Sequence, residues 1–200
     1  MPEKQFFKQE YGDFVKKTEI FHEYFPDGEI YQSEAKEIPA EAMEFFEKES
    51  LQLILPEEYK PRNFENFFVI KHKNGDKTYA AEQTKTYHNG DTERLSYFLD
   101  ARNSKSIGHG ELRWSLSNKS GFFKDKPFVG FTETEKEYQR QGLAERRLYM
   151  LNAFSKMTYG FALYSSDVVD SRAINLWEKL VNEGKAKKFK SGEYDRYVFL

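Results

Sequence analysis

The sequence contains no cysteine. That absence excludes disulfide staples, a thiol nucleophile and thiolate-ligated metal. Histidine is scarce as well, with four residues, and His22, His72 and His88 follow no metal-ligand spacing, so no metal site is expected. Long apolar runs are missing. None approaches the roughly 18 residues of a membrane span, and the opening MPEKQFFKQEYGDF carries acids where a secretory leader would carry an apolar stretch. A cytoplasmic protein with no membrane partner is expected. There is no internal repeat and no low-complexity tract, which excludes solenoids and fibrous classes.

Aromatic residues are plentiful by contrast, 17% of the chain, against 32% charged residues and a mean hydropathy of -0.82. Two hundred residues fit one large domain, or a domain with a subdomain, able to bury roughly 70% of the unfolded surface. The net charge of -2 is unevenly placed: residues 1–118 carry an excess of six acids and residues 119–200 an excess of four bases. This mild basic half suits a small polyanionic ligand and makes nucleic acid an unlikely partner. Nothing in the sequence sets an oligomeric state.

Residues 1–62 read as two helical stretches joined by a turn at PDGE (26–29), the second starting at Pro39 with Ala42, Phe45 and Phe46 on one side. This N-terminal helical segment is of unclear role. From residue 66 the period changes to strands. NFFVIKHK, Asn74-Gly75, KTYAAEQTKTYH, Asn89-Gly90 and ERLSYFLDA give two successive hairpins. Residues 106–117 and 127–134 are further strands, and 161–166 a short one. A helix is expected with Ala144, Leu148, Leu151, Phe154 and Thr158 on one face, closed by Gly160. Another carries Ala173, Leu176, Trp177, Leu180 and Val181, capped by Asp170 or Ser171 and ended by Gly184. A C-terminal hairpin finishes the chain. The fold class is therefore mixed α and β: a mostly antiparallel sheet flanked by helices, with the main domain at 63–200.

The stretch Gln139-Arg140-Gln141-Gly142-Leu143-Ala144 lies where a strand hands over to a helix. A helix start has unpaired amides and about half a positive charge, and binds phosphate if backbone can approach it closely. Gly142 and Ala144 lack bulk, and Arg140 adds charge. Neither GxGxxG nor a Walker pattern is present.

These residues resemble a known family. Gln139-x-x-Gly142-x-Ala144, after a strand and before an amphipathic helix, is similar to the acyl-CoA loop Q/R-x-x-G-x-G/A of the GNAT N-acetyltransferases. The lead-in TEKEYQRQG is similar to that family's valine-x-Pro-Glu-Tyr-Arg-Gly-x-Gly, with Thr134 and Lys136 replacing valine and proline. The run from Asp170 to Leu180 is similar to the family's N-x-x-A-x-x-L-Y-x-K-L, one helix and one short strand further on. The resemblance covers residues 105–200 and implies a GNAT-like acyl-CoA-binding domain. Two departures bear on chemistry: Asp170 stands where an Asn often contacts the cofactor, and Trp177 where a Tyr often serves as general acid. Trp177 lies on an apolar stripe and is expected to pack.

What the resemblance implies is an acyl-CoA-dependent N-acetyltransferase acting by direct amine attack in a ternary complex, with acetyl-CoA as acyl donor and an amine acceptor. The backbone around Thr132, Glu133 and Thr134 would hold the pantetheine arm. Gln139, Arg140, Gln141, Gly142, Leu143, Ala144 and Glu145 would hold the pyrophosphate, with Asp170 nearby. Catalytic candidates are Glu111 first and Glu133 second as base, with His109 on the same strand and Tyr164 as a proton donor. Two other readings are a GNAT-shaped CoA-binding or regulatory protein without turnover, and a toxin-type acetyltransferase acting on tRNA or nucleobases.

Overall fold

The computed structural model describes residues 3–51, 64–86, 92–116, 126–166 and 170–200. Helix α1 (Glu3–Tyr24) leads through a turn at Pro26-Asp27 into strand β1 (Gly28–Ser33), and α2 (Ala40–Leu51) follows. Four long strands come next: β2 (Asn66–His72), β3 (Lys77–Thr86), β4 (Thr92–Arg102) and β5 (Lys105–Ser115). Then come β6 (Phe128–Thr134), α3 (Leu143–Tyr159), α4 (Ser171–Asn182), β7 (Ala186–Ser191) and β8 (Tyr194–Phe199). Strands β1 to β6 form one antiparallel sheet in chain order, and β7 and β8 form a hairpin. This is the expected mixed architecture. No helix among the described residues is long and apolar enough to cross a membrane.

The first hairpin turns at Asn74-Gly75, where Gly75 has a φ of 87° that the turn demands. Asn89-Gly90 and most of the expected loop at 117–126 lie outside the described residues, as does the proline-bearing stretch 53–61. The N-terminal segment holds its two expected helices and, between them, a strand that was not expected. β1 pairs with β2 from Gly28↔His72 to Ser33↔Phe67, so the sheet begins well before residue 63. A six-residue strand with only Ile30 and its neighbours alternating offers little periodic pattern, and pairing with β2 decides the structure. The segment 161–166 also differs from a regular strand: Tyr164 makes single bridges, parallel to Phe128 and antiparallel to Val198. It thereby links the sheet to the β7–β8 hairpin.

Each face of the sheet has its own core. On one side Phe21 and Phe25 of α1 join Phe68, Phe98, Leu151, Phe154 and Met157 beneath α3. On the other, Ala42 and Phe46 of α2 pack with Phe67, Ala81, Leu95 and Tyr97. Trp177 of α4 belongs to the first core: its ring stacks on Tyr197 at 5.6 Å and 13°, and meets Phe199 edge-on. Trp177→Ala is expected to cost about 3–5 kcal/mol of stability, and Trp177→Phe far less, by urea denaturation. Parent-like stability of Trp177→Ala would contradict this packing role.

Candidate functional site

The site is built around the edge strand β6. It pairs with β5 through Gly108↔Thr134, His109↔Glu133, Gly110↔Thr132 and Glu111↔Phe131, after which the register slips to Leu112↔Val129. Gly130 is thus the extra residue of a β-bulge. A Cβ there would collide with the carboxylate of Glu111, so glycine is needed. The Glu135 amide donates to the Ile107 carbonyl at 3.1 Å. Alternation along an antiparallel strand then turns the amides of Phe131 and Glu133 toward β5, and those of Thr132 and Thr134 toward the opposite edge. Among the described residues that far edge is bridged only at Phe128, by Tyr164.

A short 3-10 turn (Lys136–Tyr138) carries β6 into the loop. Gln139 donates its side-chain amide to the Thr134 carbonyl at 3.1 Å, and Gln141 accepts from Arg102 at 3.2 Å. Arg140 has a φ of 63° and Gly142 a φ of 76°. Arg140 is held in a left-handed conformation that non-glycine residues seldom adopt, a local strain that the surrounding bonds must sustain. Gly142 is the N-cap of α3 with no side chain capping it, and the helical ladder begins where the Arg146 amide donates to the Gly142 carbonyl at 3.0 Å. The amides of Leu143, Ala144 and Glu145 thus lie ahead of the helical ladder, as an anion site requires. One concavity is lined by Glu135, Lys136 and Glu137 of the preceding turn, and another by Gly142, Glu145 and Arg146 of the helix start with Tyr24, Tyr149 and Lys185.

Of the expected ligand-binding residues, Gln139, Arg140, Gln141 and Gly142 are exposed and Ala144 is half-buried. Leu143 points into the core, so only its backbone faces the loop. Glu145 instead reaches Lys179 of α4 at 2.5 Å and ties the two helices. Asp170 caps α4, accepting from the Arg172 amide at 2.7 Å and from its guanidinium, contacts that hold its carboxyl down near about 2.

The two faces of β6 differ. Glu133, His109, Glu111 and Phe131 point to the α2 side. There the His109 ring lies 5.1 Å from Phe45 and 5.5 Å from Phe131, and its Nε2 is 3.5 Å from Glu133. Burial lowers the His109 pKa, partly countered by Glu133. Glu111 is buried and bonded to Arg113. Burial pushes its carboxyl above the ordinary value, and Arg113 pulls the other way. The structure therefore places Glu111, Glu133 and His109 together. Tyr164 sits apart from them at the bridge on the far edge, 6.2 Å from Phe189.

The other face holds residues that sequence reasoning missed. Arg147, fully buried, donates from Nε to Asp100 at 2.8 Å and from Nη1 to the hydroxyls of Thr132 (2.7 Å) and Thr134 (3.3 Å). Asp100 also accepts from Thr78 at 2.6 Å, and His72 Nε2 lies 2.7 Å from that Thr78 hydroxyl. Burial lowers the His72 pKa to about 4 and keeps its ring neutral. Beside this network, Asp76 accepts from Arg102 Nε and Nη2 (2.8 and 3.1 Å) and pairs with Arg146 at 2.9 Å. A signal for Arg147 was present: it shares the helix face of Leu143, Met150, Leu151 and Phe154, where an apolar residue is expected.

No family model matches the chain, and no curated protein matches it. Among solved structures it is similar to a GNAT-family acetyltransferase from Staphylococcus aureus Mu50, with a TM-score of 0.40 and 14% identity over 52% of this chain and 66% of that one. It is similar also to the ribosomal-protein-S18-alanine N-acetyltransferase from Escherichia coli, with a TM-score of 0.32 and 17% identity over 51% and 64%. The matched part is just under two thirds of each of these relatives. A third, from Bacillus anthracis str. Ames, named as a candidate streptothricin acetyltransferase and in complex with acetyl coenzyme A, has a TM-score of 0.30 and 10% identity over 86% and 94%. At such scores the function has to be read from this chain's own residues.

Burial acts upward on the Asp76 carboxyl, but Arg102, Asn74 and Arg146 outweigh it and hold the group well below the usual range. A depressed carboxyl stabilises the fold above its unfolded pKa, and that stability is lost as pH falls through the folded value. Asp76→Asn is expected to lose about 2 kcal/mol at pH 7. Urea denaturation should show the gap to the parent narrowing steadily as pH falls below about 5. A gap independent of pH would count against the ion cluster.

Proposed function

We propose that the chain is a GNAT N-acetyltransferase that moves an acetyl group from acetyl-CoA to an amine by direct attack. The observation that carries this reading is the continuity of one backbone surface. The outward amides of Thr132 and Thr134 lead into the loop 139–142 and then to the uncapped amides of Leu143, Ala144 and Glu145. An extended amide-bearing arm ending in a pyrophosphate has the matching order of groups: acceptors along a strand edge, then negative charge at a helix start. Arg140 and the macrodipole supply the charge complement.

Acetyl-CoA would supply an activated thioester. An attacking neutral amine forms the carbon–nitrogen bond, the carbon–sulfur bond breaks, and the amine proton must pass to a base. Strand amides beside the bulge are placed to polarise the thioester carbonyl. Glu111 is the first candidate for the base: its carboxylate lies over Gly130 at the bulge. Glu133 is second, being exposed and paired with His109. Trp177 is committed to the core and takes no part, so the thiolate's proton comes from Tyr164 or water. One observation favours CoA binding without turnover: Glu111 is already engaged by Arg113 in a buried pair. Turnover against an amine panel separates the two readings.

Gly142→Glu places a carboxylate at the loop and puts a side chain on a residue with positive φ. Calorimetry should record at least a tenfold loss of CoA affinity, about 1.4 kcal/mol, with the circular dichroism spectrum retained. Unchanged affinity would remove the loop from the binding site. Burial raises the Glu111 pKa, so the rate on a found amine should climb with pH through a value above the ordinary carboxylate range. Glu111→Gln should abolish that limb and lower kcat by about 10²-fold, leaving the KM for acetyl-CoA nearly unchanged. A parent-like profile in Glu111→Gln would transfer the base role elsewhere.

A further inference from the structure

We infer that Arg147 is a positioning residue for the strand edge of β6, acting through the hydroxyls of Thr132 and Thr134; the inference rests on the reading of that edge as the acyl-CoA arm's binding surface. Three observations converge on it. First, the guanidinium passes over a groove cut into β5. Gly110 and Gly108 stand directly opposite Thr132 and Thr134, and a Cβ on Gly108 would overlap the guanidinium of Arg147, while one on Gly110 would lie 3.1 Å from its Cδ. Two glycines in a buried strand cost backbone entropy, and here they create the passage that lets a helix arginine reach the next strand.

Second, the direction of the guanidinium is fixed from behind. Asp100 of β4 stands opposite Gly108 on β5 and opposite Thr78 on β3, so one row across the sheet runs Thr78, Asp100, Gly108, Thr134. Asp100 takes Arg147 Nε at 2.8 Å and the Thr78 hydroxyl at 2.6 Å. The planar fork then has a set orientation, with Nη1 aimed at β6. Third, Thr132 and Thr134 are the two residues whose backbone amides turn to the open edge. Their side chains are gripped on the α3 face while their amides face away from β5.

A strand that ends the sheet among the described residues, and carries a bulge, would otherwise be free to twist or slip beyond Gly130. Arg147 anchors it at two successive outward-facing positions. A ligand arm then meets amides already at fixed spacing, which spares the ordering cost on binding. Arg147 itself is fully buried beneath the strand and need not touch the ligand.

The test uses the full chain with Thr132→Val/Thr134→Val, which keeps shape and β propensity and removes both hydroxyls, and Thr132→Ser/Thr134→Ser, which restores them. Amide hydrogen exchange is read without ligand at Phe131, Glu133 and Glu135, whose N–H groups face β5, and CoA affinity is read by calorimetry. Expected in the valine pair are at least tenfold faster exchange at those three amides, unchanged exchange in β3, and a tenfold or greater loss of CoA affinity. The serine pair should recover both. Parent-like exchange and affinity in the valine pair would overturn the positioning role while leaving the acyl-CoA reading intact. A parent that fails to bind CoA overturns that reading, and exchange alone then decides whether Arg147 anchors the strand. Should the valine pair unfold, Arg147→Lys serves in its place, since lysine can keep the bond to Asp100 but not span both threonines; parent-like exchange and affinity there would equally overturn the role.

Discussion

The buried ion pair of Arg147 and Asp100 is the constraint on which the site depends. An unpaired guanidinium in this position would cost several kcal/mol, so helix α3, strand β4 and the glycine-lined passage on β5 must come together in one arrangement. That arrangement sets the distance between the start of α3 and the end of β6. The loop 135–142 spans that distance, with Arg140 and Gly142 in left-handed conformations. A second carboxylate, Asp76, repeats the logic one layer out by holding Arg102 and Arg146 behind the loop. Consecutive arginines of one helix thus serve separate parts of the site: Arg147 the strand edge, and Arg146 the loop's support.

The chemistry divides by sheet face. Beneath α3 the side chains lock geometry and stay out of contact with solvent. On the α2 side, His109, Glu111 and Glu133 gather with Phe45 and Phe131 around the same two strands. The bulge at Gly130 joins the two functions, because it both turns the amides of Thr132 and Thr134 outward and makes room for the Glu111 carboxylate. A single residue of extra length therefore sets both the direction of these amides and the place of the Glu111 carboxylate.

Much of the fold was legible because its signals are local. Asn74-Gly75 marked its hairpin, the apolar stripe marked α4, and Gly142 marked the turn into α3. β1 was hidden because six residues carry too little periodicity and its pairing with β2 lies 44 residues away, Gly28 to His72. The site was half legible. Its loop follows from glycine chemistry at a helix start, and Arg147 shows only in its place on an apolar helix face, while Asp100 and Asp76 give no local sign of their burial. Their burial is set by partners 26 and 47 residues distant, which no local pattern reports. Asp170 and Glu145 read as ligand contacts, but their visible roles are a helix cap and a bridge to α4.

The central claim is that one backbone surface, from the edge of β6 to the first turn of α3, receives acetyl-CoA. Amide chemical-shift mapping during an acetyl-CoA titration tests it most directly. The account predicts saturable shifts concentrated at Thr132, Thr134 and Gly142 to Glu145, with the β7–β8 hairpin tip unmoved. Absence of binding, or shifts centred away from β6 and the α3 start, would contradict it.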